Sequence, residues 1–91
     1  MNIPQITNIN TALSVYYNHV EIGNKEIRTL FGDRSSATIA QLKKAAKTEM
    51  GKQGIYSYSA FKVNTTIAFQ VWGLDVNDLE KRKQKIAALN L

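Results

Sequence analysis

A mostly α fold in one small domain is what this sequence predicts, and three observations predict it. The length of 91 residues bounds the chain to one domain. Apolar residues recur at helical spacing through most of it. Asn, Ser and Asp precede those periodic stretches and Gly follows several of them, which is how helix starts and stops are punctuated. A core this small leaves a thin stability margin. With no cysteine in the chain, neither a disulfide nor a thiolate metal site can reinforce it. Packed helices must supply the stability, with self-association as a further source.

The first helix is expected over about Gln5 to His19, with Pro4 at its start, where a missing N–H costs nothing. Ile6, Ile9, Leu13, Tyr16, Tyr17 and Val20 fall on one stripe. This stretch is almost uncharged and reads as packing scaffold. Asn24 is expected to cap a second helix, with Glu26 near its positive end. Ile27, Leu30 and Phe31 form its buried face, and Gly32 ends it after about two turns. A helix that short depends on tertiary contacts.

Ser35 is the expected cap of a third helix, whose core face is Ile39, Leu42, Ala46 and Met50, at spacings of three, four and four. Ala37, Gln41, Lys44 and Thr48 lie opposite, with Thr38, Ala40 and Lys47 on the flanks. Gly51 and Gly54 are expected to end it. Ile55 to Phe61 reads as an extended segment, either a short strand or wing, or an irregular wrap across the core. Asn64 caps a short helix to Trp72, which Gly73 terminates. Asp75 caps a last helix reaching about residue 90, with Asp78 at the capping-box position and Leu74 and Leu79 placed as a hydrophobic staple. Leu79, Ile86 and Leu89 give that helix a thin apolar stripe.

The segment from 22 to 46, IGNKEIRTLFGDRSSATIAQLKKAA, therefore reads as a short helix, a glycine turn and a second helix that opens in hydroxyl residues and closes in lysines. That is the pattern of a helix-turn-helix, here over about residues 24–50, which lays its second helix in the DNA major groove. The charge agrees with it. The formal net charge is +5. Residues 25–62 hold eight cations, Lys25, Arg28, Arg34, Lys43, Lys44, Lys47, Lys52 and Lys62, against Glu26, Asp33 and Glu49. Such clustering supplies the sequence-independent part of nucleic-acid affinity.

Arg34, Ser36, Thr38 and Gln41 are the candidate base readers. Small hydroxyl residues permit close approach, glutamine can pair with adenine in bidentate fashion, and arginine suits guanine or a phosphate. Lys25, Lys43, Lys44 and Lys47 are the candidate phosphate contacts, which position the protein without reading sequence. The aromatic residues Tyr56, Tyr58, Phe61, Phe69 and Trp72 would suit base stacking on single strands, but the expectation is that most of them close the core.

Enzyme chemistry is not indicated. His19 is the sole histidine and has no carboxylate or cysteine at useful spacing, the Asp75/Asp78 pair is explained by capping, and no phosphate-binding glycine loop occurs. No catalytic residue, metal or cofactor is expected. No apolar run approaches the ~18 residues a membrane span needs, and MNIPQITNIN lacks the features of a signal peptide. A cytoplasmic location is expected.

NKEIRTLFG followed by a Ser/Thr-rich helix start resembles the helix-turn-helix of small bacterial and phage regulators. VNTTIAFQVWGLDVNDLEKR is similar to small helix-turn-helix proteins carried by phages and integrated elements of Gram-positive bacteria. The resemblance covers roughly residues 22–85 and implies a double-stranded DNA partner, with roles from repressor and excision factor to packaging-associated binder. Two departures stand out. Ile39 and Leu42 fall one residue late relative to Gly32 for the compact motif, and Arg28 stands where a small residue ordinarily lets the two helices cross closely. A lone unit of this size binds one site weakly, so a homodimer or another protein partner is expected, with the stripe of the last helix as its contact surface. The competing expectation is a phage assembly, packaging or adaptor component that uses the same helical surface to hold a protein.

Overall fold

Five helices and one pair of two-residue strands account for the regular structure of the described residues, 2–89, in the computed structural model. In chain order they are α1 (Ile9–Asn18), β1 (Glu21–Ile22), α2 (Asn24–Phe31), α3 (Ser36–Gln53), β2 (Val63–Asn64), α4 (Thr65–Val71) and α5 (Val76–Leu89). The mostly α fold read from the sequence is the fold found. The expected end of the last helix at residue 90 lies outside the described residues. No described helix is long and apolar enough to cross a membrane.

α1 starts four residues later than the sequence predicts. The Asn8 side chain accepts the Thr11 N–H and caps the helix. Pro4 stays in the non-helical segment ahead of it because Thr7 is committed elsewhere. Its N–H donates to the Leu30 carbonyl at 2.8 Å, and its hydroxyl donates to the Thr29 carbonyl at 3.1 Å. The N-terminal segment thus satisfies the orphan carbonyls at the C-terminus of α2. The buried stripe of α1 shifts accordingly to Ala12, Leu13 and Val15. Tyr17 is exposed, its hydroxyl donating to a Glu80 carboxylate oxygen on α5, and Val20 is exposed beyond the helix end.

The cap of α2 is Gly23 rather than Asn24. The chain arrives extended because Glu21 and Ile22 pair antiparallel with Asn64 and Val63. Glu26 then reaches back to accept the Gly23 N–H at 2.8 Å, supplying the reverse half of a capping box. Asn24 becomes the first helical residue and keeps its side chain free for another contact.

Ser35 caps α3 as expected, and Ile39, Leu42, Ala46 and Met50 are its buried face. Gly51 is inside the helix, and Gly54, at φ 71°, ends it alone, with the Ile55 N–H returning to the Met50 carbonyl. Residues 55–62 contain no strand and form an irregular wrap of bends and a turn. The extended pairing sits just beyond them, at β2. Asn64 caps α4 and Asp75 caps α5, the latter accepting the Asn77 and Asp78 N–H groups. Asp78 does not close a capping box there. Its carboxylate is drawn one turn down the helix to Arg82 at 2.8 Å. Leu79 is buried, while Ile86 is about half exposed at 48% and Leu89 almost fully exposed at 84%.

The core is a single cluster to which every helix contributes, and Trp72 ties three of them together. Its indole N–H donates to the Leu42 carbonyl of α3 at 3.0 Å. Its ring meets Phe31 of α2 edge-on at 5.5 Å and lies 6.5 Å from Phe69 of α4. Trp72→Ala is therefore expected to cost about 3–5 kcal/mol. Trp72→Phe, which keeps most of the ring but loses the hydrogen bond, should cost about 1–3 kcal/mol. Urea unfolding followed by circular dichroism measures both. A cost below about 1 kcal/mol for the alanine variant would remove Trp72 from this role.

Candidate nucleic-acid interface

α2 has only eight residues and α3 has eighteen, so the pair depends on what holds the short helix in place. Core contacts through Ile27, Leu30 and Phe31 fix one side of α2. Its last turn is closed by Thr7 and by the Gly32 N–H, which donates to the Arg28 carbonyl at 2.8 Å. Gly32 has φ 83° with an extended ψ, a conformation strained for any residue with a Cβ. It redirects the chain through four linking residues, Gly32 to Ser35, into α3. That is the longer turn the position of Ile39 and Leu42 requires.

The two helices enclose a shallow groove lined by Asn24 and Arg28 from α2, and by Ser36, Ile39, Ala40, Lys43, Lys44, Lys47 and Thr48 from α3. Helical geometry explains the membership. Asn24 and Arg28 are one turn apart on the side of α2 next to α3. Ser36, Ala40, Lys43 and Lys47 climb one flank of α3 at intervals of three and four. Ala40 keeps the groove open where a larger residue would fill it. Four cations line it, and no carboxylate does.

The polar partners inside the groove are neutral. The Lys43 Nζ donates to the Asn24 Oδ1 at 3.1 Å, and the Lys47 Nζ donates to the Ala60 carbonyl at 2.7 Å. Among the described residues the one ion pair is Arg82 with Asp78 on α5, so none of the four groove cations is neutralised. The crowding is felt at Lys43. Partial burial lowers its pKa from the ordinary lysine value, and the charge of Lys47 lowers it further.

The remaining sequence-predicted residues are distributed around this groove, not all within it. Gln41 is exposed and lines a second recess with Lys44, Ala45, Thr48, Glu49, Lys52 and Val71, so Lys44 and Thr48 form the ridge between the two. Arg34 is exposed in the turn, with its Nε donating to the Phe31 carbonyl at 3.0 Å, where it also satisfies the end of α2. Thr38 belongs to the cap of α3: its N–H donates to the Ser35 Oγ, and the two hydroxyls are 3.0 Å apart. Lys25 lies on the other side of α2, in a hollow against α1 with Thr11, His19 and Thr29.

Asn24 and Arg28 of α2, with Ile39, Ala40 and Thr48 of α3, line the groove without being among the site residues expected from the sequence; Asn24 and Arg28 are the ones that bring α2 into it. Their four-residue spacing, outside the buried set of Ile27, Leu30 and Phe31, was the available signal. The aromatic expectation also needs correcting. Phe69 and Trp72 are buried, but Tyr56, Tyr58 and Phe61 stand in solvent, because the wrap of residues 55–62 turns its backbone, not its rings, toward the rest of the protein.

Comparison with protein-family models, with curated proteins and with solved structures finds no match for this chain.

The crowding at Lys43 gives a pH signature. Well below its lowered pKa, Lys43 is charged in both the folded and unfolded chain, and the folded state carries the penalty. As pH rises through that value toward 10.5, the folded state loses its proton first, so stability increases across this window. An NMR titration of the Lys43 side chain should give a midpoint below 10.5. Lys47→Gln should raise that midpoint without fully restoring it, because burial is the larger cause. A midpoint that does not move would show that Lys47 does not act on Lys43.

Proposed function

We propose that this protein binds double-stranded DNA in a sequence-specific manner, with α3 in the major groove and the α2–α3 cations on the flanking phosphates. The observation that carries this reading is the groove itself. Arg28, Lys43, Lys44 and Lys47 are gathered by two consecutive helices with no carboxylate among the lining residues and no ion pair to quench them. Concentrated, unpaired positive charge raises the local concentration of a polyanion and rewards counterion release when it binds.

The first turns of α3 support base reading beside that charge. Ser36, Ala37 and Gln41 are all exposed there. Their small size or amide chemistry suits contact with base edges, while a phosphate lies within the reach of the lysines. Arg34, its Nε held by α2, has its terminal guanidinium nitrogens left to meet a phosphate or a guanine. Thr38 is tied into the cap and contributes by fixing the start of α3. Lys25, on the other side of α2 against α1, lies outside this surface. The role is that of a regulator or accessory factor of the phage and mobile-element kind that the helix-turn-helix resembles, working as a dimer or beside a second protein on DNA.

Selection from a randomised duplex pool at two salt concentrations tests the reading. Enrichment of one motif that persists at about 150 mM salt supports it, and binding that vanishes with salt and enriches nothing overturns it. On the selected site, Gln41→Ala should cost about 1–3 kcal/mol and relax the preference at one base pair. Lys44→Ala should instead weaken selected and random duplexes alike and reduce the salt slope by about 1. Equal losses on both duplexes for Gln41→Ala would exclude it as a base reader.

A further inference from the structure

We infer that the wrap of residues 55–62 is a stacking platform for unpaired bases, built onto the mouth of the α2–α3 groove. The inference rests on the DNA-binding reading above and adds a preference to it: DNA with a single-stranded or opened segment is bound more tightly than intact duplex. Tyr56, Tyr58 and Phe61 are 85%, 95% and 78% exposed. One exposed apolar residue calls for no explanation. Three aromatic rings within six residues of one ordered segment do, since each ring forgoes the burial that a small core needs most.

The segment is not loose. The Tyr58 N–H donates to the Glu21 carboxylate at 2.7 Å, the Ser57 hydroxyl to the Lys62 carbonyl at 2.8 Å, and the Phe61 N–H to the Ser59 hydroxyl at 3.2 Å. Two of these bonds close the segment on itself and one ties it to β1, while its rings face water. Ordering of this kind lowers the entropy cost of engaging a ligand.

Its placement selects the ligand. One bond ties it to a groove residue, and two contacts hold it over Gly23, next in sequence to the groove residue Asn24. The Ala60 carbonyl accepts the Lys47 Nζ, which lines the groove. The Lys62 stem and the Phe61 carbonyl close over Gly23, within 3.5 and 3.7 Å of where a Cβ would stand there. Asn24, the next residue, accepts Lys43 inside the groove. Phe61 thus follows directly on the residue that bonds Lys47, one of the four groove cations, while Tyr58 is held at the Glu21 carboxylate. A cationic track that holds a phosphate backbone, next to aromatic faces that stack on bases, is the physical recipe for single-strand recognition. A protein interface would exclude lysine from its centre, whereas here Lys47 bonds the segment that carries the rings.

The test compares a mixed-sequence duplex of about 30 base pairs with the same duplex carrying a single-stranded thymidine tract of about six nucleotides, by fluorescence anisotropy. The wild-type protein should bind the gapped DNA about tenfold more tightly, and the triple variant Tyr56→Ser, Tyr58→Ser, Phe61→Ser should lose that preference while keeping its affinity for intact duplex. Circular dichroism should show the variant as stable as wild type, since the replaced rings are exposed. Should it not fold, Tyr58→Ser alone, at the most exposed ring, carries the test and should reduce the preference by about fivefold. Equal wild-type binding to both DNAs, or a preference that survives the substitutions, overturns the platform but leaves duplex binding standing. Failure of the wild type to bind either DNA overturns both readings and turns the rings into candidates for a protein contact.

Discussion

The structure depends most on the indole of Trp72. Two helices as short as α2 and α4 have no stability of their own, yet α2 must hold a fixed position beside α3 if a groove is to exist between them. Trp72 supplies that constraint from a third direction. It follows directly on α4, bonds to the backbone of α3 at Leu42, and forms a T-shaped pair with Phe31 in the last turn of α2. The hydrogen bond is directional and buried, so it fixes orientation as well as proximity, which apolar contact alone would leave loose. On the far side, Thr7 holds the same last turn of α2 by its backbone and hydroxyl. The short helix is clamped at its C-terminus from both faces, while its N-terminus is set by the β1–β2 pairing.

That clamping makes an electrostatically costly surface possible. Arg28, Lys43, Lys44 and Lys47 repel one another, and the groove offers them an amide and a carbonyl but no carboxylate. Repulsion among exposed charges is modest and screened by salt, so a core of this size can carry it. It would still push the helices apart if α2 were held only by its own propensity. The lowered pKa of Lys43 registers first its partial burial and, as the smaller cause, the repulsion of Lys47.

Much of the architecture was legible because it rests on local rules. Ser35, Asn64 and Asp75 cap the helices they were read to cap, and Ile39, Leu42, Ala46 and Met50 are buried together, since a side chain reaching its own helix start and a 3.6-residue period both live within a few residues of sequence. What was not legible depends on distant partners. The start of α1 moves to Ile9 because Thr7 finds carbonyls 22 and 23 residues away. The cap of α2 moves to Gly23 because Glu21 and Ile22 find strand partners in Asn64 and Val63, and strands of two residues carry no periodicity. Within the candidate site, helical spacing could place Lys43 and Lys47 on a flank, but not say which flank meets α2, and so it divided the lysines from Lys25 only once the helices were packed. The outward rings of Tyr56, Tyr58 and Phe61 had no signature either, because aromatic content reads as core unless a backbone path is known.

The bond from Lys47 to the Ala60 carbonyl joins the two halves of this surface, and it sets a condition on how they act. A lysine already bonded to a neutral carbonyl keeps its full charge, so it can hold the wrap in place and attract a phosphate at once. Any polyanion that enters the groove adds a partner to a crowded set of cations and relieves their repulsion, so it binds the folded chain better than the unfolded one and stabilises it by mass action. The clamp at Trp72, the unpaired cations and the ordered wrap are in this sense one device. Core packing holds the charges close, and Lys47, one of those charges, also fixes the segment from which the rings project; on the proposed reading the same charges favour a phosphate backbone.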